Sequence, residues 1–329
     1  MNTKRWLAIV AAVVLLFVSI GFRFTMSIAS GLMEGFANLN EHYFEEEILV
    51  DGDWDQRIAV LNLEGVIQDV ELSPFLSEGY NHQEFLKMID QAGTDASVEA
   101  IILKVNSPGG AVGETAQIHR KLVEMQEKYE KPIYVSMGAT AASGGYYVAA
   151  PADKIFAEPS TLTGSIGVIM ENINYSELAE NHGIHFNTIK SGKHKDIMSP
   201  NRDMTKEERE ILQSMIDEMY DDFVQVIVDG RQMDETTVRE IGDGRIYTGK
   251  QAQEVGLVDE IGNFDDTVEA IKNDYNLENP QVVQYGIGLG FFNNLGVTIK
   301  GLFQQKPTEL DRLMSLIRQS DQPRAMYIY

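Results

Sequence analysis

Pro-Ile-Tyr-Val-Ser-Met at residues 132–137 runs through three small residues into Ala-Ala-Ser-Gly-Gly-Tyr-Tyr at residues 141–147. The first part is an apolar, β-branched run, and the second sets one hydroxyl among small residues. That is the pattern of a strand ending in a tight turn into a helix. A serine nucleophile needs such a turn, which makes Ser143 a candidate. Gly144 and Gly145 let a substrate approach the backbone closely. The first N–H groups of a following helix have no partners of their own and can bind a developing oxyanion. The turn points to acyl transfer. Ala, Ser and Gly also cluster where a helix packs tightly on a sheet, and this segment alone does not choose between the two.

Runs of the same apolar, β-branched kind occur at residues 57–67, 100–105 and 154–157, separated by helix-like stretches such as 114–129. In the latter, Ile118, Leu122 and Met125 recur on one face. Strands alternating with helices predict an α/β domain with a mostly parallel sheet covered on both faces. Thr205-Lys206-Glu207-Glu208 reads as a capping box opening a long helix. Its apolar face, Ile211, Met215, Met219, Phe223 and Ile227, has the regularity of structure rather than chemistry. Shorter helices at 251–255 and 265–273 flank the turn Gly256-Leu257-Val258-Asp259. The folded domain is expected over residues 57–280.

The chain has 329 residues, 43% hydrophobic and 23% charged, enough to bury a substantial core. Residues 6–22 carry no charge and follow Lys4 and Arg5, a run at the short end of a bilayer span. Small residues at Ser27-Ile28-Ala29 also allow a cleavable signal peptide. The run is long for that, and the expectation is an uncleaved transmembrane anchor over residues 1–25. Basic residues before the span place its amino end in the cytoplasm and the bulk of the chain outside, at the cell membrane. Residues 26–56 read as a juxtamembrane spacer, and residues 281–329 as an extension with a short helix from Thr308 and an apolar tail.

Lys4, Arg5 and Arg23 are the only charges up to residue 23, so against a net charge of −23 the remainder carries −26. Such a surface repels nucleic acid and anionic lipid. The absence of cysteine excludes disulfides, thiol catalysis and Cys-ligated zinc. The histidines lack carboxylate partners at usable spacing, so neither a metal nor another cofactor is expected.

A serine needs a base. The six histidines, His42, His82, His119, His182, His185 and His194, read as surface residues, His194 standing apart only for its neighbours. Those are Ser191-Gly192-Lys193-His194-Lys195-Asp196, a basic loop in which a lysine becomes a base if burial or a nearby cation favours its neutral form. A solvated turn is the plainer reading of that loop. Two further segments belong with it. Ser107-Pro108-Gly109-Gly110 ends the strand at 101–105 and reads equally as a simple Pro-Gly turn or as a turn that brings backbone N–H groups to the carboxyl edge of the sheet, with Gly110 as a second oxyanion donor. Thr163-Gly164-Ser165-Ile166-Gly167-Val168 reads by itself as a turn, and beside a lysine base it offers the Ser165 hydroxyl to orient a neutral amine.

Together these segments, with Asn106 before the first and Arg245-Ile246-Tyr247-Thr248-Gly249 after the last, resemble the signal peptide peptidase A family of membrane-bound serine peptidases. That family lies in the larger group sharing the Clp-protease/crotonase-like core of repeated β-β-α units. The resemblance covers residues 57–276. It implies a Ser/Lys dyad with Ser143 as nucleophile and Lys195, not Lys193, as general base. It matches Ser165 to the lysine-orienting hydroxyl, and Gly110 and Gly144 to the oxyanion hole. It further implies single-repeat chains in a homo-oligomeric ring with dyads shared between protomers, acting on leftover signal peptides and other short apolar or unfolded segments. A cleft at a sheet edge binds such chains by strand addition. The tail, Ala325-Met326-Tyr327-Ile328-Tyr329, has the character of a self-substrate at such a cleft. Competing expectations are a crotonase-like acyl-CoA enzyme, disfavoured by an extracellular setting, and a catalytically silent membrane scaffold of the same fold.

Overall fold

Strand β3 (Val98–Ser107) carries Ala-Ile-Ile-Leu at residues 100–103 with every side chain buried, which requires cover on both faces of its sheet. The computed structural model of the protein describes residues 44–69, 80–286 and 325–328, and within them that cover is present. On one face Ile58, Val60, Ile102, Phe156 and Val282 pack against Ile271 and Val268 of helix α8 (Phe264–Tyr275). Helices α1 (His82–Thr94) and α2 (Val112–Tyr129) pack on each other and bury their own apolar stripes, Ile89 and Ala92 on one, Ile118, Leu122 and Met125 on the other.

The elements follow in the order β1 (Glu45–Val50), β2 (Asp53–Glu64), α1, β3, β4 (Gly109–Ala111), α2, β5 (Ile133–Ala142), α3 (Gly144–Ala149), β6 (Lys154–Ala157) and β7 (Leu162–Gly164). Then come α4 (Ser176–Asn181), α5 (Lys206–Arg231), α6 (Glu235–Ile241), β8 (Ile246–Thr248), α7 (Gly249–Glu254), β9 (Glu260–Ile261), α8, β10 (Pro280–Gly286) and β11 (Met326–Ile328). The main sheet runs β1-β10-β2-β3-β5-β6-β9, with β7 beside β5 and β8 beside β7. The pairings of β10, β2, β3, β5, β6 and β9 are parallel and that of β7 with β8 is antiparallel. The expected α/β class with a mostly parallel sheet is therefore observed.

Boundaries differ from the sequence reading where charge hides a strand. β1 and the start of β2 lie in the stretch read as spacer. β1, Glu-Glu-Glu-Ile-Leu-Val, is exposed along its whole length at the sheet edge, so no burial pattern marks it. β10 likewise runs past residue 280 into the stretch read as extension. No helix of the described residues is long and apolar enough to cross a membrane. The anchor expected over residues 1–25 and the helix expected from Thr308 both lie outside the described residues.

Parallel strands place their carboxyl ends together. Ser107, the last residue of β3, lies opposite Ala141 of β5, and Ala142 lies opposite Gly164 of β7. The segments at 107–111, 141–147 and 162–165 thus meet at one edge of the sheet, where α/β sites form.

Candidate active site

Ser143 sits between β5 and α3 with φ 53° and ψ −117°. Only glycine adopts such angles without strain, at a cost of about 1–3 kcal/mol for other residues. Two backbone bonds hold it there. Its N–H donates to the Gly164 carbonyl at 2.7 Å, and its carbonyl accepts the Tyr147 N–H at 2.9 Å. The side chain is fully buried, and its Oγ has no hydrogen-bond partner among the described residues.

The Pro-Gly-Gly turn is built by Ser107, whose buried hydroxyl donates to the Gly65 carbonyl at 2.6 Å and accepts the Gly109 N–H at 3.1 Å. The sequence reading gave that hydroxyl no role. β4 then runs beside Ile67, so closely that a Cβ on Gly110 would come within 1.9 Å of the Ile67 carbonyl oxygen. A Cβ on Gly144 would stand 3.1 Å from Gly110 N. The two N–H groups singled out in the sequence, those of Gly110 and Gly144, therefore belong to touching segments. Ser165 follows β7 directly with φ 50°, is buried, and donates its N–H to the Arg245 carbonyl at 2.8 Å. The Gly164–Ser143 bond makes it a near neighbour of Ser143.

A fifth segment enters here. β11, the end of the chain, pairs antiparallel with β4, setting Met326, Tyr327 and Ile328 opposite Ala111, Gly110 and Gly109. Met326 exchanges both backbone bonds with Ile169 on its other side, each at 3.0 Å. The tail thus lies as an added strand in a cleft between β4 and residue 169. Tyr327 is 1% exposed, and burial raises its phenol above the ordinary value, keeping it a donor.

Lys195 is not joined to this cluster within one chain. It is exposed and its side chain makes no hydrogen bond or ion pair among the described residues, whereas its neighbours Lys190, Lys193, His194 and Arg202 all face carboxylates. Arg202 holds the Lys195 turn to the start of α5. Its Nε and Nη2 reach Asp196 at 2.9 and 2.7 Å, and its Nη1 and Nη2 reach Glu208 at 2.8 and 2.5 Å. The Arg202 guanidinium holds both carboxyls well below the usual range. Glu208 is the capping-box partner of Thr205, as the sequence predicted. The stretch preceding the turn leaves Ile173, Leu178, Ile184 and Ile189 exposed.

Two histidines depart from the surface reading. His82 is buried, with Tyr80 Oη 2.6 Å from Nδ1 and Gln117 Oε1 3.0 Å from Nε2, so both ring nitrogens are satisfied. His119 lies edge-on to Tyr147 at 5.3 Å, and burial, followed by the Arg120 charge, pushes it down to about 4. The α5 stripe also differs. Phe223 and Ile227 are buried, but Ile211 and Met215 are exposed, and Phe223 contacts Tyr327 rather than serving the core alone.

Residues 125–278 match peptidase family S49. A putative signal peptide peptidase SppA of Enterococcus faecium is 39% identical across the whole of this chain and 99% of its own length. The chain belongs to the signal peptide peptidase A family. Within that family it is also 35% identical to protease 4 of Haemophilus influenzae, over 69% of this chain and 36% of that protein. A putative protease of Methanocaldococcus jannaschii is 42% identical over 65% of this chain and 70% of its own. As a member of the signal peptide peptidase A family the protein is a serine peptidase. Ser143, Ser165 and Lys195 fall inside the matched stretch, and Gly110 precedes it.

Proposed function

We propose that the protein is a membrane-anchored endopeptidase with a Clp-protease/crotonase-like core, cleaving residual signal peptides and other short apolar or unfolded segments through Ser143 and Lys195. One observation carries the reading: a buried, strained serine without a partner lies beside a cleft already filled by an extended strand of polypeptide. The Enterococcus faecium relative bears the name of a signal peptide peptidase, which supports the substrate class.

In this mechanism Lys195 Nζ takes the Ser143 hydroxyl proton as Oγ bonds to the scissile carbonyl carbon. The carbonyl oxygen becomes an oxyanion facing the N–H groups of Gly110 and Gly144. As the C–N bond breaks, the Lys195 ammonium returns its proton to the leaving amine. Water then adds to the acyl-enzyme, giving its proton to Lys195, and the collapse restores Ser143 and releases the acid. Ser165, nine-tenths buried and next to Ser143, is the hydroxyl that orients the amine.

A lysine serves as a base once burial favours its neutral form. In the single chain Lys195 is exposed, so a second copy closing over the apolar stretch at 169–189 supplies that burial and brings the amine to its neighbour's serine. The chains accordingly form a homo-oligomeric ring, tethered by the amino-terminal anchor with the catalytic domain outside the cell.

A fluorophosphonate probe tests the nucleophile: it labels the assembled protein, and labelling disappears in Ser143→Ala. Ser143→Ala and Lys195→Ala chains, each inactive, recover activity when mixed and reassembled. Absence of labelling refutes the serine mechanism, and failure to complement in verified mixed rings refutes the shared dyad.

A further inference from the structure

Among the described residues, two buried hydroxyls without a hydrogen-bond partner flank one backbone position, Gly144. One is Ser143 Oγ, directly before it. The other is Thr115 Oγ1, on the opening turn of α2, in a residue with no exposed surface. Helices α2 and α3 pack on each other, and a Cβ on Gly144 would stand 2.9 Å from Thr115 Oγ1. Thr115 thus fills the space that a side chain at position 144 would need. The sequence reading gave it no role.

A threonine within a helix ordinarily returns its hydroxyl to a backbone carbonyl one turn back. Thr115 makes no such bond. Valine has nearly the same shape and no polar group, so packing alone would be served as well without the hydroxyl. A buried hydroxyl with nothing to bond costs stability. The surroundings show where its capacity can be spent. The point 2.9 Å from Thr115 Oγ1 is also 3.1 Å from Gly110 N. The hydroxyl therefore stands in one small patch with the N–H groups of Gly110 and Gly144, the two donors assigned to the oxyanion. Helix α2, 18 residues long, opens at Val112 beside this patch with no side-chain capping bond, so its positive end adds to a field that favours negative charge there.

We propose that the Thr115 hydroxyl is a third donor to the oxyanion, unbonded in the resting site and engaged when the scissile carbonyl oxygen gains its charge. The inference rests on the proposed peptidase function. The hydroxyl turns about its C–O bond without moving the side chain, and its proton stays on Thr115 throughout. A donor that bonds in the transition state and not before raises kcat and leaves substrate binding unchanged.

The test uses the full-length assembled enzyme. Thr115→Val keeps the shape and deletes the hydroxyl. It should lower kcat by about ten- to a hundredfold, the worth of one hydrogen bond to a charged oxygen, with KM changed by less than about two-fold. A peptide aldehyde, which forms a tetrahedral adduct on the serine, should lose affinity by the same factor of about ten to a hundred. An intact peptide should bind Ser143→Ala protein equally well with and without Thr115→Val. Thr115→Ser retains the hydroxyl and should keep most of the activity. The Tm of Thr115→Val should equal or exceed that of the parent, because the change removes a hydroxyl that nothing satisfies.

A folded Thr115→Val enzyme with kcat within about two-fold of the parent overturns the proposal. Equal losses in Thr115→Ser and Thr115→Val also overturn it, since they assign the effect to the methyl group. So does weaker binding of the intact peptide, or a lowered Tm in Thr115→Val alone, which would mean that the hydroxyl is already bonded at rest. A wild-type assembly that does not label with fluorophosphonate removes the peptidase function and this inference with it. Labelling of wild type at the same rate as Thr115→Val removes the inference alone.

Discussion

Replacing Tyr327 by Ala should release the tail from the cleft, and the size of the effect follows from what the side chain touches. Tyr327 is 1% exposed, held between two rings and by one hydrogen bond. A buried tyrosine removes about 150–200 Å² from water, or about 4 kcal/mol at 25 cal/mol per Å². The hydroxyl bond adds about 1 kcal/mol. The equilibrium between seated and free tail should therefore move by about a thousandfold or more toward the free form. The backbone bonds to Gly110, Val112 and Ile169 are short-lived without that anchor. Two measurements read this in the intact protein. Hydrogen exchange at the Ile169 and Met326 amides should become fast, and fluorophosphonate labelling of Ser143 should accelerate at least about tenfold as the cleft empties. Tyr327→Phe keeps the ring and should accelerate labelling by no more than about five-fold. If Tyr327→Ala labels at the wild-type rate and keeps its protected amides, the side chain does not hold the tail and the reasoning fails.

Ser143→Gly should lose labelling and peptide cleavage altogether yet raise Tm by about 2–4 °C, because glycine accepts the backbone angles that strain serine; a lowered Tm would show that the turn is not strained. Arg202→Met should lower kcat with little change in KM, since it frees the Lys195 turn while leaving the peptide cleft intact, and should lower Tm because Glu208 loses its cation and keeps only its Thr205 bonds. Arg202→Lys should recover only part of both, because it keeps the charge and loses the two-pronged geometry. The last prediction concerns acid. Folded His119 stays neutral down to about 4, whereas an unfolded histidine takes its proton near 6.5. Stability present above 6.5 is therefore lost as the pH falls through that window, by about 3 kcal/mol at most. His119→Gln should flatten the dependence of Tm on pH between 7 and 4, and parallel curves for the two proteins would refute the assignment.

The parts legible in sequence are those whose cause is local. β6 occupies residues 154–157 as read, Thr205 caps α5 through Glu208, and the turn at Ser143 joins a strand to a helix. What escaped depends on distant partners. β1 carries three glutamates on an exposed edge and becomes a strand only by lying beside β10. His82 belongs inside because Tyr80 and Gln117 satisfy both its nitrogens, and Gln117 is supplied by a different helix. The pocket around Tyr327 was hidden for another reason. Its floor is a backbone carbonyl, that of Met219, and a sequence read by side chains does not display backbone acceptors. The stripe on α5 read as plain packing, yet it is bare at Ile211 and Met215 and meets the tail at Phe223.

Strain separates the site from the scaffold more sharply than any single motif does. Among the described residues six that are not glycine have positive φ: Glu130, Ser143, Ser165, Met198, Gln232 and Asn276. Three of these, Glu130, Gln232 and Asn276, are the left-handed caps of α2, α5 and α8, where the conformation closes a helix and serves folding. The other three close no helix. Ser143 is the elbow between β5 and α3, Ser165 ends β7 beside it, and Met198 belongs to the turn that carries Lys195. Packing alone gives no reason for strain to gather at these points, since each costs stability that an ordinary backbone would have kept. Residue type in the sequence singles out two of these segments, 141–147 and 163–168, and the loop at 191–196 that borders the third. A buried hydroxyl and an exposed amine, neither with a hydrogen-bond partner among the described residues, lie on the Ser143 and Met198 segments. That agreement between unspent hydrogen-bonding capacity and unexplained strain marks these segments, rather than the helix caps, as the candidate site.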